Sequence, residues 1–145
     1  MGLLDRTITQ RTKILLLNTP HNPTGKVFTE AELLEIAALL RRHPHVTVVM
    51  DEVYEKLVYD GRCVLRCSPQ QHTHRANTAN ATRTHARMAA VPGMWDRTLT
   101  VSSCGKTFSC TGWKVGWVYG PERLVKPVML ANQWVQYSVS TPTQR

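Results

Sequence analysis

The chain has 145 residues, of which 42% are hydrophobic and 19% are charged, and its formal net charge is +8. This hydrophobic content is enough for one domain with a real core, so the composition excludes a disordered chain. The positive charge favours contact with anions, but the arginines are scattered and no basic stripe interleaved with aromatic residues is present. A dedicated nucleic-acid-binding function is therefore not favoured.

The cysteines and the N-terminus bear on compartment and on metal binding. No cysteine belongs to a CxxC pair or has a histidine at zinc-finger spacing, so we interpret all four as reduced thiols: Cys63, Cys67, Cys104 and Cys110. No apolar run reaches the roughly 18 residues that cross a bilayer, and the opening MGLLDRTITQ lacks the apolar segment of a signal peptide. We expect a cytoplasmic protein, or a mitochondrial one if a transit segment precedes this sequence, with no membrane partner and no metal site.

The first half of the chain predicts a strand, a helix and a second strand. Lys13–Asn18 is a short apolar run that enters the turn-forming stretch TPHNPTG. Thr29 and Glu32 form a capping box at the start of a helix whose apolar residues recur on one face, at Leu33, Ile36, Ala37 and Leu40. Val46–Asp51 follows as a β-branched strand, and this βαβ order predicts a parallel sheet.

The second half predicts two further strands, Thr98–Ser103 and Lys114–Gly120, and a helix over Glu122–Tyr137 with a break or kink at Pro127. Arg66–Ala90 is rich in polar residues and predicts a long surface insertion. Its histidines lack acidic or cysteine partners at ligand spacing, so we interpret them as solvated rather than metal-binding: His72, His74 and His85.

Polar residues suited to chemistry follow three of the four predicted strands. Asn18 leads to Asn22, Asp51 leads to Tyr54, and Ser103 leads to Lys106. Ligands of open parallel sheets bind beyond the carboxyl ends of the strands, so these side chains are expected at one edge of the sheet. This edge would hold an amine, a carboxylate, a phenol, an amide and a second cation. Together these groups are suited to bind a pyridine ring that carries an aldehyde, a phenolic oxygen and a phosphate. Lys106 would then be the covalent anchor and Lys114 the phosphate clamp.

Three segments carry a resemblance to a known family: LNTPHNPTGKVFTEAEL, DEVYEKLVYDG and SSCGKTFSCTGWKVGW. They resemble the signature segments of class I pyridoxal-phosphate aminotransferases of fold type I. The resemblance is closest to the branch that contains kynurenine aminotransferase, also called glutamine transaminase K or cysteine-conjugate β-lyase. It covers nearly the whole chain apart from the insertion.

The resemblance implies a role for each residue that would hold the cofactor's ring. Lys106 would bind pyridoxal phosphate as a Schiff base and then move a proton as general base and acid. Asp51 would pair with the pyridine nitrogen and stabilise the developing negative charge. Asn22 and Tyr54 would hydrogen-bond the phenolic oxygen.

The resemblance also implies how the phosphate and a second subunit would be bound. Ser103 and Lys114 would bind the phosphate by hydrogen bond and by charge. Tyr137 would reach the active site of the neighbouring subunit in a homodimer.

The implied architecture is α/β, a mixed, mostly parallel sheet flanked by helices with a long loop insertion. Residues 1–145 would be part of the large cofactor domain, with the small domain and its substrate-binding arginine absent. The implied function is transamination of an aromatic, kynurenine-like, glutamine or sulfur-containing amino acid with a 2-oxo acid. The sequence does not separate transamination from β-elimination.

Other interpretations stay open at this point. Asn22 could be only a turn residue, Asp51 only a loop acid, Tyr54 only a packing residue and Lys114 an ordinary strand-start lysine. Ser103 and Lys106 also match the S-x-x-K pattern of serine acyl-transfer enzymes, but no S-D-N or K-T-G element accompanies them. For the whole chain, the alternatives are a truncated, non-catalytic remnant acting as a binding or dimerisation module, and a basic nucleic-acid-binding domain.

Overall fold

A computed structural model describes residues 2–57, 85–138 and 141–143. The helices and strands, in chain order, are α1 Gly2–Thr7, β1 Ile14–Asn18, α2 Glu30–Arg41, β2 Thr47–Asp51, β3 Thr98–Ser103, α3 Cys104–Thr107, β4 Gly116–Tyr119 and α4 Glu122–Gln136. Short 3₁₀ turns lie at Met88–Ala90, Trp95–Arg97, Thr111–Trp113 and Thr141–Thr143. In this described part of the chain, no helix is long and apolar enough to span a membrane.

The four strands form one sheet in the order β1-β2-β3-β4. β1, β2 and β3 run parallel, and β4 pairs antiparallel with β3. The register sets Asn18 opposite Asp51, and Asp51 opposite Val101. The predicted mixed, mostly parallel sheet is confirmed, and its three parallel strands end at one edge, as the sequence required.

Helix α2 packs one apolar face on the sheet. The predicted capping box is present: Thr29 Oγ1 accepts from Glu32 N at 3.2 Å, and Glu32 Oε2 accepts from Thr29 N at 2.8 Å. The buried face comprises Leu33, Ile36, Ala37, Leu39 and Leu40. It joins Val48 and Met50 of β2 in the main hydrophobic cluster. Removing this apolar surface from water holds the helix to the sheet.

The prediction that the surface insertion extends to Ala90 is wrong at its C-terminal end. His85, Ala86 and Met88 are buried, and both apolar residues belong to the main cluster. The sequence prediction missed these buried residues because it relied on the average composition of the whole polar stretch. Two or three core residues change that average very little. Residues 66–84, with His72 and His74, lie outside the described residues. For His85, the interpretation as a solvated side chain is also wrong.

The last two elements differ in detail from their predictions. β4 begins at Gly116 rather than Lys114, because Lys114 adopts a left-handed conformation with φ of 58° that a strand does not accommodate. α4 runs from Glu122 to Gln136 without a break at Pro127. Pro127 is the sixth residue of α4, so it removes one hydrogen bond within the helix, to the Arg123 carbonyl, and the helix continues beyond it. No residue of α4 is buried.

Candidate active site

The carboxyl ends of β1 and β2 are joined by side-chain hydrogen bonds. Asn18 Nδ2 donates to the Asp51 backbone oxygen at 3.0 Å. Asn18 Oδ1 accepts from the backbone N–H of Asn22 at 3.1 Å. One asparagine at the end of β1 therefore ties the loop that carries Asn22 to the strand that carries Asp51.

An amide, a phenol and an amine converge at this edge. Asn22 Nδ2 donates to Tyr54 Oη at 3.4 Å, although the two residues are 32 positions apart in sequence. Lys106 Nζ lies 5.7 Å from the centroid of the Tyr54 ring, within cation–π distance. The structure thus brings together three of the residues that the sequence selected for one site.

Asp51 ends β2 between the other two parallel strands. Its side chain is half-buried, and Oδ1 accepts from the backbone N–H of Val53 at 3.2 Å. The arrangement places an acidic group at the sheet edge, next in sequence to the loop that presents Tyr54.

Ser103 and Lys114 lie where β3 and β4 meet. Ser103 caps α3: its Oγ accepts from Gly105 N at 3.2 Å and donates to the Val115 backbone oxygen at 3.4 Å. Lys114 is exposed and stands two residues before Gly116, the register partner of Ser103. The backbones of both residues are therefore at the same edge of the sheet as the start of α3, which carries Lys106.

Tyr137 is not brought to this cluster. It follows α4 and is 94% exposed. Within the described ranges, no hydrogen bond, ion pair or ring contact links it to the other predicted site residues.

An ionic network beside Asp51 was not predicted. Arg87 Nη1 donates to Glu52 Oε2 at 2.7 Å and to Tyr119 Oη at 2.6 Å, and Arg87 Nη2 donates to Glu55. His85 Nε2 lies 3.6 Å from Glu52 Oε2. Both glutamates are buried. The sequence did contain a signal for this network, because Glu52 and Glu55 follow a strand predicted to be buried. Carboxylates enter a protein core only when they have partners. Their partner, Arg87, lies in a segment whose composition indicated a surface loop.

The network shifts the pKa values of Arg87 and Tyr119. Burial acts to lower the pKa of Arg87, but the charges of Glu52 and Glu55 outweigh it, so this pKa is raised. Burial, followed by the charge of Glu52, raises the pKa of Tyr119. Both shifts favour the protonated form, so at neutral pH Arg87 is a guanidinium and Tyr119 is a neutral phenol.

The sequence reasoning also missed a contact between two thiols. Cys104 Sγ and Cys110 Sγ are 3.3 Å apart, and both cysteines are free. Their hydrogen bond, and then burial, raises the pKa of Cys104. The spacing of six positions matches no common thiol motif, so only the folded loop reveals the pair.

The sequence and the fold of this chain are both similar to those of known proteins. The family described as aminotransferase class I and II matches residues 1–145. Kynurenine–oxoglutarate transaminase from Dictyostelium discoideum is 44% identical over 137 residues, which are 94% of this chain and 27% of that protein. Kynurenine–oxoglutarate transaminase 1 from Homo sapiens is 44% identical over 136 residues, which are 94% of this chain and 27% of that protein. N-succinyldiaminopimelate aminotransferase from Mycobacterium tuberculosis has a similar solved structure, with a TM-score of 0.79 and 38% identity, covering 99% of this chain and 32% of that one.

The sheet and its flanking helices have the fold type I architecture of aminotransferases. The chain belongs to the class I and II aminotransferase family. It spans less than a third of the length of the curated relatives it matches. The resemblance inferred from the three sequence segments is confirmed.

Proposed function

We propose that this chain forms the cofactor-binding centre of a pyridoxal-phosphate-dependent aminotransferase. The reaction would transfer the amino group of an aromatic, kynurenine-like, glutamine or sulfur-containing amino acid to a 2-oxo acid. The relatives named kynurenine–oxoglutarate transaminase support a kynurenine-like amino donor and a 2-oxo acid acceptor. The observation that carries the proposal is the convergence of Asn22, Tyr54 and Lys106 at the carboxyl edge of the sheet.

The donor set at this edge fits pyridoxal phosphate. A primary amine suits the aldehyde, and the amide and phenol suit the phenolic oxygen. A carboxylate at Asp51 suits a protonated pyridine nitrogen. The hydroxyl of Ser103 and the ammonium of Lys114 suit a phosphate. When bound, pyridoxal phosphate supplies the electron sink that makes the substrate Cα–H acidic.

Each side chain then has a distinct task. Lys106 Nζ would bind the aldehyde carbon covalently and later take the proton from the substrate Cα. Its position over the Tyr54 ring keeps the amine near the phenol. Asp51 would hold the proton on the pyridine nitrogen, since a carboxylate there stabilises the cation. Ser103 and Lys114 would fix the position of the phosphate and so orient the ring.

A homodimer is part of the proposal. Tyr137 is almost fully exposed at the end of α4, so it is free to contact a second chain. α4 also exposes Met129, Trp134 and Val135, an apolar surface of the kind that partners cover.

The test is to map the lysine that reacts with pyridoxal phosphate. The chain is incubated with pyridoxal phosphate, reduced with borohydride, digested with trypsin and analysed by mass spectrometry. Trypsin does not cleave after a modified lysine, so reaction at Lys106 yields one adduct peptide spanning 98–114 in place of peptides 98–106 and 107–114. We expect this adduct to dominate and to vanish in Lys106→Ala.

The matched control is Lys126→Ala, which removes an exposed lysine of α4 and should leave the adduct unchanged. Adducts spread over many lysines, in a pattern that Lys106→Ala does not alter, would refute the site. Such a result would favour a non-catalytic binding or dimerisation module.

A further inference from the structure

The Cys104 and Cys110 thiols are held together by the backbone of one tight loop. Cys110 N donates to the Gly105 oxygen at 3.0 Å, and Phe108 N donates to the Cys104 oxygen at 2.9 Å. Cys110 Sγ also donates to the Cys104 oxygen at 3.4 Å. The two sulfurs face each other at 3.3 Å. Hydrogen bonds within the loop therefore set the separation of the two sulfurs.

The loop has little freedom to move the thiols apart. A Cβ on Gly105 would lie 2.9 Å from Thr111 Cα, so the two sides of the loop are in backbone contact. A disulfide bond is about 2.05 Å long, so the sulfurs need to approach by only about 1.2 Å. Both cysteines are partly exposed, so a small reagent can reach them.

We propose that Cys104 and Cys110 form a thiol–disulfide modification site that a low-molecular-weight disulfide, such as oxidised glutathione, converts to an intramolecular disulfide. The resulting ring runs from Cys104 to Cys110 and encloses Lys106. The modification therefore acts on the loop that presents the candidate cofactor lysine. It is independent of the proposed aminotransferase function, because it requires only the two thiols and the oxidant.

The step balances as two thiol–disulfide exchanges. One cysteine loses its proton, and its thiolate attacks the small disulfide RSSR, forming a mixed disulfide and releasing RS⁻. The second cysteine loses its proton and attacks the protein sulfur of that mixed disulfide, forming the bond between Cys104 and Cys110 and releasing the second RS⁻. The two protons convert both RS⁻ to RSH. The protein loses two electrons and two protons, and RSSR gains both to become two RSH.

The experiment uses the full chain with Cys63→Ser and Cys67→Ser, which removes the other two thiols. The folded protein is incubated with oxidised glutathione, the remaining thiols are alkylated, and a tryptic digest is analysed with and without reductant. Trypsin cleaves after Lys106, so a disulfide joins two separate peptides, 98–106 and 107–114. We expect this linked pair, in protein that stays monomeric on a non-reducing gel, and its disappearance on reduction.

Two comparisons make the result specific. Cys110→Ser in the same background should give no linked pair and should instead carry one glutathione on Cys104. Guanidinium chloride should slow formation of the linked pair, because unfolding removes the backbone bonds that position the sulfurs. Any of three results would overturn the proposal: two alkylated thiols, two separate glutathione adducts, or a linked pair that forms as fast in denaturant.

Discussion

Replacing Arg87 with methionine should strongly destabilise the fold. Arg87 is the one cation that contacts both Glu52 and Glu55 among the ion pairs of the described residues. The Glu52 side chain is fully buried, and its Oε1 has no hydrogen-bond partner in the described part of the chain. Without the guanidinium, a carboxylate is left in the interior with only the weak contact to His85.

The magnitude follows from burial. Breaking a buried ion pair by removing one partner costs about 3–5 kcal/mol, because the remaining charge is uncompensated. The Arg87 side chain is 33% exposed, so water can enter the vacated space and hydrate Glu52 in part. We therefore expect Arg87→Met to lower the free energy of unfolding by an amount near the lower end of this range, about 3 kcal/mol. With a urea m-value of about 1.5 kcal/mol/M, the unfolding midpoint falls by about 2 M.

Urea unfolding followed by circular dichroism measures the loss. Arg42→Met is the matched control, because Arg42 pairs with Asp5 in an ion pair whose side chains are 60% and 49% exposed. Such surface pairs contribute about 0–1 kcal/mol. The double variant Arg87→Met/Glu52→Gln should recover part of the loss, because it removes the stranded charge. The reasoning is refuted if Arg87→Met costs no more than Arg42→Met.

Two more predictions concern pH and packing. Hydrogen bonding from Lys26 lowers the pKa of Glu32 from 4.5 to about 2. The stabilisation that the Glu32 carboxylate contributes is therefore complete above pH 4.5 and is lost as the pH falls toward 2. Thermal unfolding should show the wild-type advantage over Glu32→Gln shrinking across that range, and a constant difference would contradict the linkage. Gly105→Ala should cost about 1–3 kcal/mol through overpacking against Thr111, since its Cβ would lie 2.9 Å from that residue's Cα. Gly112→Ala, whose Cβ would meet nothing within 4 Å, should be nearly neutral in the same urea assay.

Local patterns in the sequence were sufficient to predict the helix and strands that position the candidate site. The capping box at Thr29 and the apolar spacing that follows it predicted α2, because both depend on residues within one or two helical turns. The βαβ order predicted parallel pairing of β1 with β2, and with it the shared edge at which Asn18 and Asp51 lie opposite each other. The signature segments added the family.

The tertiary structure decided which distant residues meet. Arg87 pairs with Glu52 across 35 positions, and His85 enters the core from a stretch whose composition indicated a loop. The chain reverses direction between β3 and β4, so these strands pair antiparallel, and closure of the same connection brings the sulfurs of Cys104 and Cys110 together. Helix and strand patterns depend on neighbouring residues, so the sequence by itself determined them. Ion pairs and buried polar contacts between distant residues depend on separations that exist only after the sheet has formed, and the thiol contact depends on closure of its own loop.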